Sequence, residues 1–216
     1  FTVIDEIVRG VEDDTLYGGA AFSNCASITT TLDAGGFYVK TIVVDYGTAG
    51  CVDNDGKTRK GVLTINMNGR YGFLGTVITT TTSNFVANNN EISGTLTIEN
   101  DSINSSGNLS FTMTVSSGSV TYSKGTVTWN STRTIELIAG GSTFADPSDD
   151  EWSITGNANG TNRLSKKFEL NTTSPLLVST SCDNITKGTV ELVPEGQTTQ
   201  TIDFGDGTCD NKATLS

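Results

Sequence analysis

The sequence predicts an all-β protein, and three observations support this prediction. One residue in six is threonine, and Thr, Val, Ile, Tyr and Phe suit the pleated, half-buried surface of a strand. Apolar and polar residues alternate with a period of two in about a dozen short segments. Turn-forming groups such as Asn68-Gly69, the Asn-rich Asn88-Asn89-Asn90 and Ser117-Gly118 separate these segments, as hairpin turns do. We therefore expect an antiparallel β-sandwich or a long twisted meander.

The first residues of the chain have a different pattern. Four apolar residues fall on one face of a short helix: Ile4, Ile7, Val8 and Val11. Phe1, Val3 and Ile7 also fit a period of two, so an extended arm is the alternative. The expected organisation is a helix or arm over residues 1–24 and a single β-rich domain over residues 25–216.

The strands expected in this domain are bounded by Gly, Asn, Asp and Ser clusters, which favour turns. Each segment is short and carries β-branched residues at alternate positions. In chain order they are 41–45, 61–67, 75–82, 92–99, 109–115, 125–129, 132–138, 152–155, 167–170, 176–179, 188–193 and 199–204.

The composition excludes several classes of function. The chain has no histidine, so Ser-His-Asp and Cys-His mechanisms and metal sites that need imidazole are ruled out. A formal net charge of −11 opposes binding to nucleic acid, whose phosphates need a basic surface. No apolar run approaches the roughly 20 residues that cross a bilayer. Richness in Thr, Asn, Ser and Gly with little Lys is typical of extracellular or cell-surface proteins.

The chain contains an internal duplication, at about residues 25–67 and 182–216. Each copy has a Cys-x-x-Ile-Thr segment, an intervening strand, a Thr-Ile strand that ends in an aromatic-Gly turn, and a closing cysteine. Four cysteines allow three pairings. The duplication favours Cys25–Cys51 and Cys182–Cys209, since equivalent positions should bond equivalently. Disulfides of this kind fit an oxidising exterior.

Several segments carry a family resemblance, namely Thr201–Cys209, Asp45–Thr48, Lys57–Gly61, Trp129–Thr134 and Gly160–Arg163. They resemble an uncharacterised family of secreted or lipid-anchored cell-surface β-proteins of Bacteroidota. The resemblance runs from about Cys25 to the last residue. It implies a β protein at the cell surface and carries over no catalytic residues.

Two shorter likenesses accompany it. Phe204-Gly205-Asp206-Gly207 is similar to the aromatic-Gly-Asp-Gly turn of polycystic-kidney-disease-type immunoglobulin-like domains, over one hairpin. The Bacteroidota resemblance also implies O-glycosylation at Asp-Ser/Thr-apolar triplets, which places sugar on Thr15 and Ser102.

Two loops gather carboxylates in the manner of calcium loops. Asp53 and Asp55 lie in the first, and Asp203, Asp206 and Asp210 in the second. The alternative is a set of Asx turns with solvated acids. We expect no cofactor, with structural calcium as the alternative at either loop.

Two other groups of residues suggest surface contacts. Trp152, preceded by Asp149 and Asp150, fits a sugar-binding loop in which the ring stacks on a glycan. The alternative is an exposed loop after which Trp152 enters the next strand and buries its ring. Lys57, Arg59 and Lys60 form a positive cluster, expected either as edge-strand charges or as a contact with an acidic patch of another copy.

The expected function is a non-enzymatic extracellular structural or adhesive protein, with a carbohydrate-binding cell-surface module as the alternative. The second copy of the duplication stops at Lys212–Ser216, which predicts an incomplete sheet edge that another copy completes by strand addition. Phe1–Val11 is the expected donor, and the product is a filament. The predicted subunit contacts are Phe1, Val3, Ile4, Ile7, Val8 and Leu215.

Overall fold

A computed structural model describes residues 23, 25–34, 38–53, 56–142 and 147–216. The strands are β1 Ser27–Leu32, β2 Lys40–Asp45, β3 Cys51–Val52, β4 Thr58–Met67, β5 Val77–Ala87, β6 Asn90–Ile103, β7 Leu109–Tyr122, β8 Gly125–Ala139, β9 Glu151–Thr161, β10 Lys167–Ser179, β11 Cys182–Pro194, β12 Gln200–Asp206 and β13 Thr214–Leu215. A 3₁₀ turn at Pro147–Asp149 precedes β9. The all-β prediction is confirmed.

All the strands belong to one open antiparallel sheet. From β4 to β13 each strand pairs with the next in sequence, β1 pairs with β2, β2 pairs with β4, and the short β3 also pairs with β4. This strand order is that of a meander, one of the two architectures expected. In the ranges given above, no helix is long and apolar enough to span a membrane.

One face of the sheet carries a long row of polar residues, most of them threonines. Residues that lie opposite one another in register form a polar row across the sheet, and none of them is buried. The row is Thr31, Thr41, Asn66, Thr79, Thr97, Thr114, Thr132, Asn157, Asn171, Glu191 and Thr201. Because successive side chains of a strand point to opposite faces, this polar row marks the solvent face.

The other face carries the core. On β2 and on β4–β7, a residue adjacent in sequence to the member of the polar row is buried. These buried residues are Lys40, Met67, Ile78, Ile98 and Met113. The core cluster lies on β2 and β4–β8 with the loops beside them. On that face Tyr46 packs against Phe85 with ring centroids 5.9 Å apart. Tyr71 stacks on Phe111 at 6.0 Å. The apolar face is therefore most densely packed in the N-terminal half of the sheet.

Two predicted interruptions of strands are β-bulges, in β7 and β10, and a third, in β8, is regular strand in register with β9. The pair Ser117-Gly118, expected as a turn, lies inside β7, where the register with β8 shifts after Val115. The segments 125–129 and 132–138 form one strand, β8, and 167–170 and 176–179 form β10, whose register with β9 shifts between Asn171 and Leu176. Extra residues are accommodated in this way without ending the strand.

The expected Asn-rich hairpin is confirmed. Asn88 and Asn89 connect β5 to β6 with φ angles of 48° and 65°, the left-handed conformation that a two-residue hairpin requires at both positions. Residues 1–22, which hold the expected helix or arm, lie outside the described residues.

Candidate assembly interface at the sheet edges

The two copies of the duplication form the two ends of the sheet. Cys25 bonds to Cys51 in the N-terminal unit, and Cys182 to Cys209 in the C-terminal unit, each with Cα atoms 5.9 Å apart. The predicted pairing is therefore confirmed. The two disulfides indicate an oxidising environment. Each unit consists of three antiparallel strands: β1, β2 and β4 at one end, and β11, β12 and β13 at the other.

The same turn shapes both units. In the N-terminal unit the Asp45 carboxylate accepts a hydrogen bond from Gly47 N–H at 2.7 Å. In the C-terminal unit Asp203 accepts from Gly205 N–H at 2.9 Å. The first Asx turn begins at the last residue of β2, the second lies within the last residues of β12, and each leads to the closing cysteine. The Asp-aromatic-Gly sequence thus has one local structure in two places.

The outer strands of the two units differ in what covers them. The side of β11 away from β12 pairs with β10, and the side of β4 away from β2 pairs with β5. The corresponding sides of β1 and β13 pair with no strand in the described part of the chain. An uncovered strand side presents unpaired N–H and C=O groups to which another chain can add.

The hydrogen-bonding pattern identifies the free groups of β1. Asp33 N–H bonds to Val39 C=O at 2.9 Å, so these two residues form a hydrogen-bonded pair. Bonded pairs recur at every second residue of an antiparallel ladder, so Thr29 and Thr31 point their backbone groups towards β2. The backbone groups that point away from β2 are those of Ile28, Thr30 and Leu32.

The β1 edge lacks the features that usually block strand addition. Its sequence, Ser-Ile-Thr-Thr-Thr-Leu, has no charge and no proline, and its register with β2 has no bulge. Natural edge strands are commonly protected by charges, prolines or bulges. Leu32 is 57% exposed, and Thr30 is exposed beside it. Strand β1 is therefore the best acceptor edge of the described sheet.

The C-terminal edge is a weaker acceptor. Thr201 and Ser216 exchange two backbone hydrogen bonds, of 2.8 and 3.0 Å, so within β13 only Leu215 points its backbone groups outward. The charged residues Asp210 and Lys212 lie just before this strand, with the Asp210 Oδ2 and Lys212 Nζ atoms 3.8 Å apart. Strand β13 has two residues and offers less outward backbone than β1.

Asp53 and Arg59 form a buried ion pair. Their Oδ2 and Nη1 atoms are 3.1 Å apart, and their side chains are 6% and 8% exposed. The guanidinium also lies 5.9 Å from the centre of the Tyr46 ring. The expectation of Arg59 as an edge-strand charge is wrong, because Arg59 lies between Cys51 of β3 and Ala87 of β5 and its side chain is buried. Asp55 lies outside the described residues.

The C-terminal acidic residues each bond to their own turn. Besides the Asx turn of Asp203, the Asp206 carboxylate accepts bonds from the Thr208 N–H at 3.1 Å and hydroxyl at 2.9 Å, and Asp210 accepts from Lys212 N–H at 3.0 Å. The Thr208 hydroxyl is the main cause that lowers the pKa of Asp206, with the Thr208 N–H second. Across the described ranges, no three or more His, Cys, Asp or Glu side chains are grouped to hold a metal. Calcium stays a prediction.

The residues expected in a sugar-binding loop are divided by the fold. Asp149 is exposed, whereas Asp150 and Trp152 line a cavity of about 90 Å³ together with Asn108 and Leu137. The Trp152 ring also packs on Phe111, with centroids 6.2 Å apart. Pockets that hold small-molecule ligands are several times larger, on the order of 300–1,000 Å³. Sugar binding stays a prediction.

The remaining predicted residues are placed as follows. Ser102 is exposed near the end of β6, and its hydroxyl donates to Asp101 at 3.2 Å. Thr15 lies outside the described part of the chain, and so do the expected contact residues Phe1, Val3, Ile4, Ile7 and Val8. Of the expected contact residues, Leu215 is described. Glycosylation at Thr15 and Ser102 stays a prediction.

The outward-facing residues Ile28, Thr30 and Leu32 are not among the functional residues predicted from the sequence. A signal was present, because residues 27–32 are a β-branched run that follows Cys25, as Ile185 and Thr186 follow Cys182. That run predicts a strand. Which side of the strand stays uncovered depends on pairing with distant segments, which local pattern does not encode.

Comparison with family models, curated proteins and solved structures finds no match to this chain. The resemblances noted from the sequence therefore stay predictions.

Proposed function

We propose that this chain is a non-enzymatic structural or adhesive protein of the cell exterior, which associates with copies of itself by strand addition at the β1 edge. The observation that carries the proposal is the uncharged, bulge-free β1 strand with three outward backbone positions. Edge strands of this kind recruit other strands, because main-chain hydrogen bonds supply affinity and alternate side chains supply register.

Two further features support an extracellular mechanical role. Each end of the sheet is closed by a disulfide, which limits how far the terminal strands separate from their neighbours. The polar face is a continuous row of Thr and Asn side chains, which keeps a wide sheet soluble with few charges. These features suit a protein that holds its shape outside the cell.

The test is the mass of the full-length protein at increasing concentration, by light scattering after size exclusion, together with negative-stain imaging. We expect species larger than one chain for the native protein. Leu32→Lys places a charge on the β1 edge and should return the mass to that of a monomer. Leu164→Lys is the matched control, because Leu164 is an exposed leucine in the β9–β10 turn, 80% exposed. A native protein that stays monomeric at every concentration refutes the proposal.

The donor segment expected from the sequence, Phe1–Val11, lies outside the described residues, and filament formation through it stays a prediction. Deleting residues 1–11 and imaging the product tests it. Fibres that are unchanged by the deletion rule out that segment as the donor.

A further inference from the structure

We propose that the partner of β1 is the β1 strand of a second copy, paired antiparallel about a two-fold axis that passes beside Thr30. The inference rests on the proposed self-association and names the surface that performs it. The partner contributes the same residues, so the contact is isologous, the commonest arrangement among protein dimers.

The backbone supports a self-complementary edge. Ile28, Thr30 and Leu32 point their N–H and C=O groups away from β2. In an antiparallel pairing with Thr30 opposite its own copy, Ile28 faces Leu32 of the partner, and Leu32 faces Ile28. Each of these pairs exchanges two hydrogen bonds. Among registers that place outward groups opposite one another, this one alone pairs every outward residue of both strands.

The side chains agree with the same register. Ile28, Thr30 and Leu32 lie opposite Val44, Ile42 and Lys40 of β2, which places them on the core side of the sheet. Directly opposite residues of an antiparallel pair share a face, so Leu32, 57% exposed in one copy, is covered by Ile28 of the other. On the solvent face Thr29 meets Thr31 of the second copy. Apolar side chains then pair with apolar ones, and threonines with threonines.

Charge also favours a second copy as the occupant. A two-fold axis brings each residue near it close to its own duplicate, so any charge there would repel itself. The β1 strand has no charged residue, in a chain whose net charge is −11.

The test uses charge reversal at the axis, in the full-length protein, with sedimentation velocity over a range of concentrations. Thr30→Lys and Thr30→Glu each place like charges opposite one another, so each variant alone should weaken dimerisation at least tenfold. An equimolar mixture of the two should restore a dimer, because Lys then faces Glu. Thr132→Lys is the matched control, since Thr132 is an exposed threonine on β8, a strand that is not at an edge of the sheet. The mass of the species formed by this variant should equal that of the species formed by the native protein.

The outcomes separate the two proposals. Restoration by mixing supports the two-fold pairing, because position 30 faces itself in that arrangement and faces a different residue in every other antiparallel register. Native association that neither Thr30 variant weakens, or weakening that the mixture does not reverse, overturns the β1–β1 pairing and leaves self-association standing. A native protein that is monomeric throughout overturns both. Circular dichroism and melting of each variant, expected to match the native protein, exclude unfolding as the cause of a lost dimer.

Discussion

The two disulfide units share their local structure and differ in their packing. Both have an Asx turn near the end of the central strand and a disulfide with the same Cα separation. Yet Val44, just before the N-terminal turn, is fully buried, whereas Ile202, just before the C-terminal turn, is half-buried. A repeated sequence motif therefore determines a repeated turn, while burial depends on what the rest of the chain places over it.

The cause of the difference is the position of the core. Tyr46 of the N-terminal turn packs on Phe85 of β5, and β2 and β4 lie within the core cluster. Phe204, at the corresponding turn position, is half-buried and lies outside that cluster. The two disulfides close loops of nearly equal length, with sequence separations of 26 and 27. Their effects on the unfolded chain are therefore similar, and unequal stability of the two ends must come from packing.

The largest expected effect concerns the ion pairs that follow the two turns. Arg59→Ala leaves the Asp53 carboxylate buried without this partner, and loss of one member of a buried pair costs about 3–5 kcal/mol. Lys212→Ala is the counterpart in the C-terminal unit, where the two side chains are 83% and 36% exposed, and it should cost about 1 kcal/mol or less. Urea unfolding of both variants measures the difference.

The double variant Arg59→Met/Asp53→Leu sharpens this comparison. Replacing both charges by apolar side chains removes the unpaired carboxylate, so most of the loss caused by Arg59→Ala should disappear. Equal losses for Arg59→Ala and Lys212→Ala would contradict the view that the two ends differ in burial.

A smaller effect is expected from two leucines at corresponding positions. Leu63 lies opposite Val44 and is 7% exposed, whereas Leu215 lies opposite Ile202 and is 61% exposed. Leu63→Ala deletes buried methyl groups and should cost about 2–4 kcal/mol. Leu215→Ala should change stability by about 0.5 kcal/mol or less. Thermal and urea unfolding measure both, and a Leu215 variant as unstable as the Leu63 variant would show that the C-terminal edge is packed after all.

Much of this architecture could be predicted from the sequence, because it depends on local pattern. Alternation and threonine content predict strands, the duplication predicts both disulfides, and Asn88-Asn89 predicts a hairpin. Bulges were mistaken for turns because both use the same residues. Ser117 adopts a φ of 53°, and a Cβ on Gly118 would lie 2.7 Å from the Trp129 ring, so the pair fits a bulge inside β7 as well as it fits a turn.

The candidate interface was harder to predict, because it depends on long-range pairing. That β1 is an edge follows from β2 pairing with β4 on its other side, a contact that no local signal specifies. The Asp53–Arg59 pair was missed for a related reason. Charges in an alternating segment are normally solvated, and only the complete sheet shows that β4 turns Arg59 inward.

The smallest expected effect is a change in the titration of Asp206, a carboxylate at a turn position for which the N-terminal unit has Thr48. Its pKa is lowered, first by the Thr208 hydroxyl and then by the Thr208 N–H. Thr208→Ala removes the hydroxyl and should raise the pKa part of the way back towards the ordinary value of about 3.9. An NMR titration of the Asp206 carboxyl carbon measures the shift, and Thr48→Ala is the control that should leave it unchanged.

The sign of the pH effect follows from the lowered pKa of Asp206. A carboxyl group whose pKa is lower in the folded state stabilises that state above its unfolded-state pKa, and this contribution is lost as the pH falls through the folded-state pKa. Thr208→Ala should therefore reduce stability slightly at neutral pH and not at a pH below both values. Because the carboxylate is solvated, the effect should be small beside those of Arg59 and Leu63. A pKa of Asp206 that is identical in the native protein and in Thr208→Ala would show that the hydroxyl bond does not hold the turn in solution, and the two units would then differ in their turns as well as in their packing.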